Sequence, residues 1–301
     1  TLGTRASNPR WAVAWKFPSK RRTTRIESIE ASVGRTGALT PVATLEPVRI
    51  GGVEVTHASL HNQDEVDRKD IRVGDHVLVE RAGDVIPHVV RVIEDKRNGS
   101  EKRYTLPGNC PVCGGKVSKP EGEAVSRCVN ASCPAQLKQR IIHFGSKEAL
   151  DIEGLGEKTV DQLVDRGMVE DLSDLLDLAE DQVAELDRMA GKSARNLVDA
   201  IGKSKKRATL PRLIYGLGIP HVGRAAAEDL ARAFGSMDRL AAAKASDLQD
   251  LPGMGRTMAR AIADWFSSKK NRRLLKELEQ EGLNPKVEGR GDRLEGLTVV
   301  I

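Results

Sequence analysis

Cys110-Pro111-Val112-Cys113-Gly114-Gly115 opens a 24-residue run that also holds Cys128 and Cys133, and the chain has four cysteines in all. The spacing is C-x2-C-x14-C-x4-C. Each pair can form a knuckle that turns two thiolates toward one point. Four sulfurs at about 2.3 Å around a tetrahedral ion are what structural zinc takes. Gly114 and Gly115 allow the tight backbone behind the first pair. Two disulfides would need an oxidising compartment, for which the sequence carries no signal. The expected module spans 106–136 and binds Zn2+ through Cys110, Cys113, Cys128 and Cys133. Protein fills all four positions, so the site is structural rather than catalytic.

Upstream, residues 20–100 form short apolar runs broken by Gly, Pro and Asn. Residues 26–33, 39–45 and 53–60 read as strands, with turns at Gly34-Arg35-Thr36-Gly37 and Gly51-Gly52. Asn62 caps a short helix over 63–68, and 76–81 and 89–93 read as two more strands. Three strands, a helix and two strands is the order of the five-stranded OB barrel, a common nucleic-acid platform. Arg35 and Thr36 sit on a glycine-flanked turn able to approach a phosphate closely. Arg81 precedes Ala82-Gly83-Asp84-Val85-Ile86-Pro87. From the residues alone, Val85 and Ile86 read as barrel core in preference to a wedge against bases in a minor groove.

Downstream, from 150 onward, the pattern turns helical, with apolar positions three and four apart, and it repeats, giving four expected units over 141–285. Leu155-Gly156, Ala190-Gly191, Val222-Gly223 and Met254-Gly255 recur at intervals of 35, 32 and 32 residues. Gly154 and Gly253 complete a Gly-apolar-Gly triplet in the first and last units, whereas Met189 and His221 occupy that place in the middle two. Lys192, Arg224 and Arg256 directly follow the last glycine, and Lys158 comes one residue later in the first unit. This is a helix-hairpin-helix pattern. The turn leaves the backbone N–H groups of the second helix open, and these donors with the helix dipole make a phosphate site. Such contacts read no base edge, so binding is sequence-independent and salt-sensitive. A plain helical solenoid with glycine C-caps is the competing reading.

The chain is thus expected to be multidomain α+β: an OB-type β-barrel, a small four-cysteine zinc module and an all-α hairpin repeat. The stretch 137–149 reads as a short linker. Aromatic residues make up 3% of the 301 residues, so cores must come from Val, Ile, Leu and Ala in small modules. Net charge is +5, but residues 1–35 hold eight bases against two acids, whereas 141–285 holds 22 bases against 24 acids. No run of eighteen apolar residues occurs, which excludes a membrane-spanning helix. The opening Thr1-Leu2-Gly3 and the closing Val299-Val300-Ile301 read as cuts through a longer protein.

These parts, in this order, resemble the bacterial NAD-dependent DNA ligase family. The likeness rests on Pro9-Arg10-Trp11-Ala12-Val13-Ala14-Trp15-Lys16-Phe17-Pro18, Val33-Gly34-Arg35-Thr36-Gly37, Leu60-His61-Asn62, the 81–87 loop and Cys110-Pro111-Val112-Cys113-Gly114. The resemblance implies that 1–19 ends an adenylation domain, with Lys16 on the nucleotide phosphates, and that 293–301 begins a BRCT domain. It implies transfer of an adenylyl group from NAD to a lysine, then to the 5′-phosphate of a nick, and displacement of AMP by the 3′-hydroxyl. Mg2+ or Mn2+, nicked double-stranded DNA, a monomer and a bacterial cytoplasmic, nucleoid-associated setting come with it. Under the resemblance Arg35 lies on the backbone near the nick, Val85 and Ile86 press the minor groove there, reversing the core reading, and Thr36 and Arg81 count among the DNA-binding residues. The family's nucleophile stands in Lys-x-Asp-Gly, and this chain contains no such tetrapeptide. It is therefore expected to hold no catalytic nucleophile and not to adenylate itself. The rival reading is a non-catalytic, structure-specific DNA-binding module of a repair protein.

Overall fold

The computed structural model describes residues 4–5, 8–9, 11–13, 19–81, 86–120, 122–130 and 132–287. Lys16, Val85 and the 293–301 segment lie outside the described residues. The chain divides into two compact units: Trp11–Gln136, and Leu137–Ile301 together with Thr1–Arg10.

The first unit is built on a closed five-stranded barrel. Its strands are β1 (Lys20–Val33), β2 (Leu39–Ile50), β3 (Val53–Ser59), β4 (His76–Arg81) and β5 (His88–Val92), hydrogen-bonded in the order β1-β2-β3-β5-β4 and closed by β4 on β1. Strand β1 serves both closures. Residues 20–25 pair with β4, and 26–33 pair with β2. A bulge between Ile26 and Ser28 moves the inward phase by one residue, from Thr24 and Ile26 to Ile29 and Val33. The strand thus begins six residues before the apolar alternation does. Lys20-Arg21-Arg22 face solvent along it, so no buried side chain announced this part of the strand. The core is aliphatic, as the composition requires, with Ile26, Leu45, Leu60, Val77 and Val79 almost fully enclosed.

Between β3 and β4 runs α1 (Gln63–Arg68), where Asn62 Oδ1 accepts a hydrogen bond from Glu65 N at 2.8 Å. The Gly74-Asp75 corner does more than turn the chain. Asp75 is fully buried and accepts from Arg97 Nε at 2.7 Å and from Arg72 N at 2.8 Å, and Arg97 also donates to Asp70.

The second unit holds ten α-helices among the described residues, packed on one apolar cluster that runs from Ile141 to Leu283. They are α2 (Pro134–Gly145, which starts in the first unit), α3 (Glu157–Asp165), α4 (Glu180–Ala184), α5 (Gly191–Arg207), α6 (Leu210–Gly216), α7 (Arg224–Phe234), α8 (Met237–Ala242), α9 (Ala245–Gln249), α10 (Arg256–Ser267) and α11 (Lys269–Gln280). The expected linker 137–149 is therefore mostly helix: Ile141 and Phe144 are buried in the cluster, at the spacing of one helical face. Early and late helices are tied directly, Ser173 Oγ donating to Glu277 at 3.0 Å and Lys205 Nζ to Glu281 at 3.1 Å.

Candidate zinc centre and nucleic-acid interface

The four cysteine sulfurs lie within 4.8 Å of one another. Cys110 Sγ and Cys133 Sγ are 3.9 Å apart, and Cys113 Sγ and Cys128 Sγ 3.6 Å. Zinc at 2.3 Å from each sulfur of a tetrahedron requires edges of about 3.8 Å, so the spacing fits zinc. The backbone builds each corner. Cys110 N donates to Gly115 O at 2.7 Å and Gly114 N to Cys110 O at 2.9 Å, closing the first knuckle. A two-strand hairpin pairs Val117 with Cys128, and Cys133 N donates to Asn130 O at the start of α2. The Asn130 side chain, then the Gly115 backbone, lower the Cys113 thiol to about 6, whereas burial raises Cys133 to about 12. A bound dication would hold all four sulfurs as thiolates. The result is a Zn2+-binding finger of structural type.

The barrel's 34–37 turn packs on this module. Gly37 is buried, and Thr36 is exposed with its Oγ1 accepting from Arg127 Nη1 at 2.9 Å. Arg35 and Arg81 are half-buried; Arg81 ends β4 opposite Lys20. Ile86 is 71% exposed, which overturns the core reading made from the residues alone: Pro87 and His88 re-enter the barrel, and Ile86 stays outside it. Sequence reasoning missed Arg127, which lies 91 residues from Thr36 and carries no local signal of that partnership.

Four hairpins share one backbone geometry. A residue with positive φ starts each turn: Gly154 (+85), Arg188 (+64), His221 (+67) and Gly253 (+81). Leu155, Met189, Val222 and Met254 follow and pack into or against the common core. The third residue is the helix N-cap: Gly156, Ala190, Gly223 and Gly255 for α3, α5, α7 and α10. The second unit is therefore one residue out from the register expected. Its triplet is Arg188-Met189-Ala190, with Gly191 as the first helical residue and Lys192 as the second. Lys192 thus matches Lys158, which is also second in its helix, while Arg224 and Arg256 are first. The apolar residue packed into or against the core, spaced 34, 33 and 32 along the chain, is the signal that would have found this register.

None of the four N-caps makes a side-chain hydrogen bond to its helix. Asn62 of α1 and Ser236 of α8 do cap theirs. The first amides of the four hairpin helices have no intrahelical acceptor and point outward with the positive helix end. A Cβ on Gly156, Gly223 or Gly255 would meet nothing within 4 Å, and their φ of −87, −90 and −73 suits any residue. Neither strain nor packing inside the protein requires glycine at these positions. Lys158, Lys192, Arg224 and Arg256 are all exposed at these helix starts.

Comparison with known proteins agrees part by part. The NAD-dependent DNA ligase OB-fold domain matches residues 23–101, and the NAD-dependent DNA ligase C4 zinc finger domain matches 109–135. A SAM-like helix-hairpin-helix tandem matches 146–203 and a helix-hairpin-helix motif 212–275. The DNA ligase of Desulfosudis oleivorans is 54% identical over 284 residues, 94% of this chain and 42% of that protein. Those of Carboxydothermus hydrogenoformans and Salinibacter ruber are 49% and 50% identical over all of this chain and 45% and 44% of theirs. The chain spans somewhat under half the length of the curated relatives it matches. With that family's barrel and zinc finger in their order and relatives half identical along its length, the chain belongs to the NAD-dependent DNA ligase family.

Proposed function

We propose that this chain is the DNA-grasping part of a ligase that seals 5′-phosphate/3′-hydroxyl nicks in duplex DNA, with NAD as the adenylyl donor, in replication and repair. The observation that carries the reading is the set of four uncapped helix N-termini, each fronted by open space and an exposed base. A phosphate oxygen supplies what those amides lack. Gly154, Gly156, Lys158, Gly191, Lys192, Gly223, Arg224, Gly253, Gly255 and Arg256 belong to this grip, which holds either strand by its backbone. Arg35, Thr36, Arg81, Val85 and Ile86 face the nick from the barrel, the exposed Ile86 against the minor groove. Lys16 contributes to the nucleotide pocket, with a divalent cation, Mg2+ or Mn2+, as the expected companion of the phosphates. The protein works as a monomer in the bacterial cytoplasm.

The test is equilibrium binding of the zinc-loaded chain to nicked and intact duplexes of one sequence across a salt series. Log affinity should fall with log salt, by about 0.9 for each phosphate neutralised. The nicked duplex should bind more tightly. Equal binding of the two at moderate salt removes the barrel from the nick and favours a general duplex-binding module. Incubation with NAD should leave the chain without covalent AMP, and an AMP adduct would show that it carries its own nucleophile.

A further inference from the structure

Residues 126–128 of the zinc module run antiparallel beside the barrel's first turn. Leu39 N donates to Ser126 O and Cys128 N to Gly37 O, both at 2.8 Å, around an Ala38–Arg127 bridge. Gly37 has φ +76, and a Cβ there would stand 2.5 Å from Cys128 O and 3.0 Å from Gln136 Nε2. That side-chain amide donates to Cys128 O and Asn130 O, each at 3.1 Å. The strand that shapes the turn from outside therefore carries a zinc ligand. Arg127, the residue before that ligand, donates to Thr36 Oγ1, and its Nε stands 3.5 Å from Glu123 Oε2.

We infer that Arg127 is a positioning residue for the 34–37 loop, and that zinc, by holding Cys128, keeps this loop shaped to bind a DNA backbone phosphate beside the nick. The inference rests on the reading that the loop meets DNA. The Thr36 hydroxyl accepts from Arg127, so its own proton is directed elsewhere, and polarisation by the guanidinium makes it a better donor. Glu123 offsets part of the Arg127 charge, which suits a residue that aims a neighbour. The metal then acts on nick recognition through hydrogen bonds of this chain, without touching DNA.

The experiment uses the zinc-loaded chain with Arg127→Leu, Arg127→Lys and Thr36→Val. Three quantities are read: zinc content, affinity for nicked and intact duplex, and amide hydrogen exchange over 34–39. Arg127→Leu should keep its zinc and its affinity for intact duplex, lose roughly tenfold in preference for the nicked one, and exchange faster over 34–39. Arg127→Lys should recover part of the preference. Thr36→Val, which keeps the side-chain shape, should lose it as Arg127→Leu does. Chelation of the wild type should speed exchange over the same residues. Unchanged exchange and unchanged nick preference in Arg127→Leu overturn the inference. Faster exchange with an unchanged preference overturns its DNA half. A wild-type chain that binds nicked and intact duplex alike overturns the underlying reading instead, and the exchange data still decide whether Arg127 shapes the loop.

Discussion

Arg97 clamps Asp75 with two hydrogen bonds, Nε to Oδ1 at 2.7 Å and Nη2 to Oδ2 at 2.8 Å. Asp75 is wholly enclosed and Arg97 17% exposed. The pair joins the corner before β4 to the chain leaving β5, and Arg97 reaches on to Asp70 at 2.8 Å. Asp75, then Asp70, hold the guanidinium charged even more firmly than usual. Such a pair adds little over apolar packing, but a half-pair is costly. Arg97→Met would leave the enclosed Asp75 carboxylate to the Arg72 N–H, with no guanidinium to balance its charge. The barrel should lose about 3–5 kcal/mol. Hydrogen exchange at the enclosed Val77 and Val79 amides reads this, and Arg97→Met combined with Asp75→Leu should restore much of the protection.

Asp70 gives the barrel an acid dependence. Its carboxyl is held below the usual aspartate range first by Arg72 and then by Arg97. A carboxylate depressed by folding adds stability above its unfolded pKa and loses it as pH falls through the folded one. The barrel should therefore weaken as pH drops below about 4. Asp70→Asn should flatten that part of the stability profile. Its side chain is 44% exposed, so the slope is modest. A profile equally steep in the variant would assign the acid sensitivity to other groups.

Zinc removal should act locally. Cys110, Cys128 and Cys133 sit in a small cluster with Val33 and Leu39 of the barrel, too few apolar groups to hold the module without metal. The helical unit has its own large cluster. Chelation should therefore abolish exchange protection over 106–136 and leave the amides around Leu197 and Ile262 protected. A melting curve unchanged by chelation would show that the module folds without metal.

The order of the barrel strands and the zinc set were legible because both are local: alternation within a strand, and cysteine spacing within 24 residues. What escaped was set by partners distant in sequence. Lys20-Arg21-Arg22 form a strand because β4 lies beside them. The charge of the buried Asp75 is balanced by Arg97, 22 residues on, a partnership no local pattern announces. In the second hairpin Gly191 lies inside the helix and the left-handed position is filled by Arg188, so glycine spacing places that turn one residue late. Glycine marks that backbone most often, but Arg and His adopt it here, so the apolar residue packed into or against the core is the steadier guide.

The glycines of the hairpins separate into two classes with opposite signatures. Gly253 holds φ +81, so Gly253→Ala should cost about 1 kcal/mol of helical-unit stability, and His221→Gly, at φ +67, should gain about as much. Gly223 and Gly255 hold ordinary φ with open space before them. Asp at either place would cap its helix and add a few tenths of a kcal/mol. It would also set a carboxylate where the proposed phosphate binds and occupy an amide that phosphate needs. Gly223→Asp and Gly255→Asp should therefore melt slightly higher than the wild type yet bind duplex DNA roughly tenfold or more weakly. Thermal melts and salt-matched binding curves on the same samples provide the check. Variants that gain stability and keep full affinity would mean that the open amides of α7 and α10 hold no phosphate.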